Sequence, residues 1–108
     1  MIDAQTLDLR VFEAKAAKAA GLLKAMSNER RLMILCRLGG GELSVGDLQR
    51  DVDLSQSALS QHLSVLRAEG LVAARRAGQS VYYRIADSAA SRVIETLAAI
   101  YCPELLRS

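Results

Sequence analysis

Leu59, Leu63 and Leu66 constrain the fold of this chain more than any other residues. On a helical wheel of about 100° per residue they fall within about 60° of one another, a single narrow stripe. Ser57, Ser60, Gln61, Ser64 and Arg67 fall away from that stripe, and Gln56 stands in the first turn. A segment so patterned must lay its leucines into a core and keep its Ser/Gln face outside. Ser55 is placed to cap this helix and Gly70 to end it. Just upstream, a shorter helix is predicted from about Ser44 to Asp51, with Ser44 as cap and Asp47 in its first turn. Val52-Asp53-Leu54 makes the turn between the two helices.

Past Gly70 the period changes. Leu71 to Arg76 and Ser80 to Ile85 are β-favouring runs separated by Ala77-Gly78-Gln79, which predicts a hairpin with a basic tip. Towards the N-terminus, residues 6–25 read as a helix, with Leu9, Phe12, Ala16, Ala19 and Leu23 at helical spacing. Ser27 or Asn28 can cap a second helix through Leu38, stopped by Gly39-Gly40-Gly41. A last helix spans about Ser88 to Tyr101, ended by Pro103. The expected fold is therefore mainly α with a small β-hairpin, in the order ααααββα, a winged helix-turn-helix. Residues 1–108 read as one domain, with the helix-turn-helix at 44–69 and the wing at 71–86.

The outer helices, 1–25 and 88–103, are assigned to dimerisation. Ala90, Val93, Ile94, Leu97, Ile100 and Tyr101 cover about 120° of the last helix, wide enough to serve both its own domain and a partner. Phe12 and Ala16 lie on the first helix, whose many alanines let another helix approach closely. A two-fold homodimer is expected.

Several classes are excluded. The longest apolar run, Leu97 to Cys102, is six residues, against the roughly 18 that a membrane span needs. Asp3 and Asp8 argue against a leader, so a soluble cytoplasmic protein is expected. Two cysteines are too few for a disulfide scaffold and one histidine too few for a histidine cage. The triple glycine lacks the following Gly-Lys-Ser/Thr of a phosphate loop. His62 reads as a packed or locally bonded side chain on the flank of the leucine stripe, without a catalytic partner. No enzyme activity, cofactor or resident metal is implied.

The net charge of +2 is unevenly spread, with −3 over residues 38–54 and +3 over 55–86. Arginine outnumbers lysine eleven to three, and guanidinium suits phosphate. That alone is compatible with a solvated basic face. The Ser/Gln face is more telling, because ordinary exposed faces use Glu and Lys. Short neutral donors and acceptors can approach base edges without repulsion from phosphates. Double-stranded DNA is thus the expected partner, with Gln56, Ser57, Ser60, Gln61, Ser64 and Arg67 on the reading helix. Arg75, Arg76, Gln79 and Arg84 in the wing would supply backbone or minor-groove contacts.

The run Leu54-Ser55-Gln56-Ser57-Ala58-Leu59-Ser60-Gln61-His62-Leu63, with Leu66-Arg67, Gly70-Leu71-Val72, Arg75-Arg76, Gly78-Gln79 and Tyr82-Tyr83-Arg84, resembles the arsenic-repressor (ArsR) family of bacterial transcription repressors. Asn28 and Arg31-Leu32 match the pattern less distinctively, and the resemblance runs from about residue 14 to 103. It implies a homodimer that pairs through its first and last helices, binds an inverted-repeat operator and releases it on meeting an inducer.

The family's metal sites do not carry over. Arg37 and Leu38 follow Cys36, so the Cys-x-Cys of the metalloid sensors is missing, and no histidine lies between Ser88 and Ser108 for the zinc sensors' site. By themselves Cys36 and Cys102 read as structural, Cys36 on the apolar side of the second helix and Cys102 at the frayed end of the last. The resemblance changes that reading. Sulfide- and persulfide-responsive members, of the BigR, SqrR and YgaV types, carry one cysteine in each of these two places and release DNA when the pair is bridged. The resemblance therefore implies a redox sensor made of Cys36 and Cys102, with reactive sulfur species as inducer. Two other readings stand beside it: a thiophilic metal held between the cysteines, or an architectural DNA-binding protein with no inducer.

Overall fold

The computed structural model describes residues 8–106. Helix α1 (Leu9–Met26) begins at Asp8, whose carboxylate accepts from the Arg10 N–H at 3.0 Å. The sequence expectation started this helix at residue 6, outside the described residues. Helix α2 (Glu29–Leu38) is capped by Asn28, which accepts from Arg30 and Arg31 at 2.9 and 3.1 Å. Strand β1 (Leu43–Ser44) comes next, and Ser44 also caps α3 (Val45–Val52) through the Asp47 N–H at 3.1 Å. Asp53 ends α3 in the left-handed region, at φ 51° and ψ 57°. Asp is among the few non-glycine residues that enter this region readily. Ser55 then caps α4 (Gln56–Ala68), accepting from the Ala58 N–H at 3.1 Å.

Strands β2 (Val72–Ala77) and β3 (Ser80–Ile85) pair antiparallel from Val72↔Ile85 to Ala77↔Ser80. The hairpin loop is therefore Gly78-Gln79, one residue shorter than expected, because Ala77 still pairs. Gly78 takes φ 61° at the first loop position, which a glycine-first two-residue turn needs to match the strand twist. Helix α5 (Ser88–Tyr101) is capped by Asp87 and closes with the Cys102 N–H donating to the Ala98 carbonyl at 2.8 Å. A 3-10 turn, Pro103–Leu106, follows.

The expected five helices and hairpin are present. The sequence reading missed β1, which pairs Leu43↔Tyr83 and Ser44↔Tyr82 and makes the sheet three-stranded in the order β1-β3-β2. One core joins α2, α3, α4, the base of the sheet and one side of α5: Ile34, Leu35, Leu48, Val52, Leu59, Leu66 and Ala90 are fully enclosed. Burying each of the Ile, Leu and Val side chains stabilises by about 1.5–3 kcal/mol. Helix α1 gives that core Ala25 and Met26 from its last turn, with the half-buried Leu22 packed against it. The arrangement is a winged helix-turn-helix, with α3 and α4 as the helical pair and β2–β3 as the wing.

Candidate nucleic-acid interface and thiol groove

The leucine stripe of α4 fixes what the helix presents. Leu59, Leu63 and Leu66 are buried, so Gln56, Ser57, Ser60, Gln61, Ser64 and Arg67 all stand exposed. His62 is half-buried on the flank, as its place on the wheel predicts. Burial and the nearby Arg31 guanidinium together push its imidazole below the ordinary range.

In the wing, Arg75, Arg76, Gln79 and Arg84 are exposed as well, but they are not equivalent. Directly paired residues share a face of the sheet, so Arg75 lies with its partner Tyr82, and Arg84 follows two residues on. Arg76 has the opposite parity. Arg75 is also occupied. Its Nε lies 3.0 and 2.9 Å from the two carboxylate oxygens of Glu42, and its Nη2 donates to Glu42 Oε1 at 2.7 Å. Its guanidinium carbon stands 4.8 Å from the centre of the Tyr82 ring. The sequence reading counted Arg75 with the unengaged cations. Among the described residues Arg67, Arg76 and Arg84 have no carboxylate partner.

The acidic stretch 38–54 has the same explanation. Glu42 binds Arg75, Asp47 binds Arg50, and Asp51 accepts from Arg37 Nε at 2.8 Å. Three of its acids thus hold arginines, two of them from other elements.

On the outer helices, Leu9, Phe12, Leu23, Ile100 and Tyr101 are more than half exposed, Tyr101 reaching 76%. Ala16 is half-buried. Within the wide stripe of α5, Ala90 and Ile94 turn into the core, Val93 and Leu97 are half-buried, and Ile100 and Tyr101 stand outside.

Leu97 and Tyr101 have a second setting. With Leu32, Met33, Ile94 and Ala98 they line an open groove of about 310 Å³ between α2 and α5, and the other two lining residues are Cys36 and Cys102. The fold therefore brings the two thiols, 66 positions apart in the chain, to one apolar groove. Both are free; Cys36 is exposed and Cys102 half-buried. The structural reading of Cys36 as a packed small hydrophobe is corrected: it sits on a side of α2 that α5 leaves open. Among the described residues no three or more His, Cys, Asp or Glu side chains are grouped to hold a metal ion. No described helix is long and apolar enough to cross a membrane.

Comparison with known proteins agrees with this architecture. The profile of the bacterial regulatory protein, arsR family, matches residues 28–74. The transcriptional activator HlyU of Vibrio cholerae is 51% identical over 96 residues, 89% of each chain. The biofilm growth-associated repressor of Agrobacterium fabrum is 43% identical over 101 residues, 94% of this chain and 86% of its own. The structure of reduced HlyU from Vibrio cholerae superposes with a TM-score of 0.82 at 52% identity, covering 86% of this chain and 98% of that one. A homodimeric winged helix-turn-helix DNA-binding domain from Mycobacterium bovis superposes with a TM-score of 0.75 at 32% identity, covering 95% and 94%.

Fold and relatives together define a winged helix-turn-helix transcriptional regulator. Within that class, the chain belongs to the ArsR family. Its relatives are regulators of transcription, not enzymes.

Proposed function

We propose that this chain is a homodimeric repressor that reads an inverted-repeat operator and lets go of it when Cys36 and Cys102 are bridged by reactive sulfur. Exposed Ser and Gln side chains on α4 approach base edges in the major groove, while Arg67, Arg76 and Arg84 meet phosphates. Two-fold pairing through α1 and α5 sets the two reading helices about 34 Å apart, or a multiple of that. The relatives' names include an activator and a repressor, and loss of DNA on bridging serves repression most directly: occupied promoter DNA excludes polymerase.

The observation that carries the sensing half is the shared groove. Cys36 belongs to α2, packed against the reading helix; Cys102 caps the helix assigned to the dimer. A bond between them ties the reading head to the dimer axis and shifts both half-sites together. The exposed Cys36 thiolate attacks first, taking the outer sulfur of a persulfide R–S–SH and expelling R–SH. Cys102 then attacks the inner sulfur of the Cys36 persulfide, forming the disulfide and releasing hydrogen sulfide. Longer sulfur bridges add whole sulfur atoms, which mass spectrometry resolves. That a solved relative is described by its redox state, reduced, fits this chemistry.

The test is fluorescence anisotropy of operator DNA with reduced and persulfide-treated protein. Treatment should weaken binding by roughly 5- to 150-fold, the usual range of allosteric coupling. Cys36→Ser and Cys102→Ser should each bind like the reduced protein and ignore the persulfide. A Cys102→Ser protein that still released DNA would leave Cys36 acting alone and end the two-cysteine mechanism.

A further inference from the structure

Strand β1 is only two residues long, yet it fixes where one acid stands. Its register with β3 is Leu43↔Tyr83 and Ser44↔Tyr82, so one step further along places Glu42 across from Arg84. Alternation then puts Glu42, Tyr82 and Arg84 on one face of the sheet, and Arg75 joins them through its pairing with Tyr82. On that face the Arg75 guanidinium is engaged on two sides. Its Nε–Nη2 edge forks onto both oxygens of Glu42, with contacts of 2.7–3.0 Å. Tyr82 covers its plane at 4.8 Å. The same bidentate fork is the one with which arginine grips a phosphate.

We propose that Glu42 is a built-in stand-in for a DNA phosphate, a positioning residue that withholds Arg75 from the duplex backbone and so caps the sequence-independent affinity of the wing. The inference rests on the DNA-binding reading above and goes beyond it by assigning a role to an acid. A neutralised guanidinium releases few counterions from DNA, so Arg75 adds little to non-specific binding while Glu42 is ionised. Arg75 and the nearby Arg84 both hold the Glu42 carboxyl below the usual range and keep it ionised. Arg84, two residues beyond Tyr82 on the same face, is left as the cation that meets phosphate there. The device suits a regulator that must find a few sites among many, because every non-specific site competes for it. The pair is solvent-exposed, with 52% and 28% of the two side chains accessible, so it competes with phosphate without locking the wing.

The experiment measures the salt dependence of binding to a fluorescein-labelled, mixed-sequence duplex over a potassium chloride series. Thermal melts first establish that each variant is folded. Glu42→Gln should bind this duplex more tightly and steepen the slope of log affinity against log salt by about one unit. In an Arg75→Ala background the same Glu42→Gln change should move the slope by less than about half a unit. Equal steepening in both backgrounds would mean that Glu42 acts only through net charge, and would overturn the proposal. No steepening in either background, with Arg84→Ala still flattening the slope, would overturn it too. Arg84→Ala also separates this inference from the reading beneath it: if its slope equals the wild type's, the wing's role in DNA binding has failed instead.

Discussion

Helix α4 and the pair α1 and α5 solve the same problem in opposite ways. In α4 every leucine of the stripe is buried within the protomer, and what remains outside is mostly Ser and Gln, with Arg67 and a 40% exposed Val65. Along α1 the stripe predicted from spacing stays largely outside, with Phe12 52% and Leu23 57% exposed, and α5 ends with Ile100 62% exposed. The single helix completes its burial within the protomer. The pair leaves large apolar side chains standing in water along two helices. Helical spacing alone does not separate the two cases, since both show apolar residues three and four apart. What separates them is how much core each helix finds inside its own domain.

The largest expected effect breaks the apolar side. Ile100→Asp places a charge on a residue the protomer does not need for its core, so the fold should persist by circular dichroism. Sedimentation should show a monomer. Affinity for an inverted-repeat duplex should then fall by about 10²–10⁴-fold, the advantage lost when two linked half-sites become independent. A dimer that survived Ile100→Asp would move the interface elsewhere. Breaking the polar side should be milder and of a different kind. Gln61→Ala or Ser57→Ala should leave the dimer intact and change discrimination between operators by about 1–3 kcal/mol per lost base contact. Arg84→Ala should weaken all duplexes alike. If the α4 variants behaved as Arg84→Ala does, the division between base and phosphate contacts would be wrong.

This contrast also explains what could be read from the sequence. Helix starts were legible because a cap is local: Asn28, Ser44 and Ser55 each bind an N–H two or three residues ahead. The buried stripe of α4 was legible for the same reason. Strand β1 was not, because Leu43-Ser44 has no strand signal of its own and exists only by pairing with Tyr82 and Tyr83. The Glu42–Arg75 fork joins residues 33 apart, and nothing near either announces the other. Cys36 was half-legible. Spacing from Leu32 put it on an apolar side of α2, but whether α5 covers or merely borders that side depends on how two helices meet. The approach of Cys102 came from family resemblance and not from periodicity.

The smallest expected effect lies at the seam between the reading helix and the rest of the core. His62 flanks the buried leucines of α4, and both its partial burial and the Arg31 charge disfavour the imidazolium. The unfolded chain has neither penalty, so its histidine takes a proton first as pH falls through about 6.5. Over the interval between the unfolded and the lowered folded value, the unfolded state binds more protons and stability declines. Below that interval both states are protonated and the loss levels off. The carboxylates titrate further down and blur the lower edge, so the useful quantity is the difference between the wild type and His62→Gln. Melting temperatures taken from pH 8 to pH 5 should fall more for the wild type than for His62→Gln. Parallel curves would mean that the imidazole keeps its proton affinity on folding, and that Arg31 and the core leave it in an environment equivalent to water.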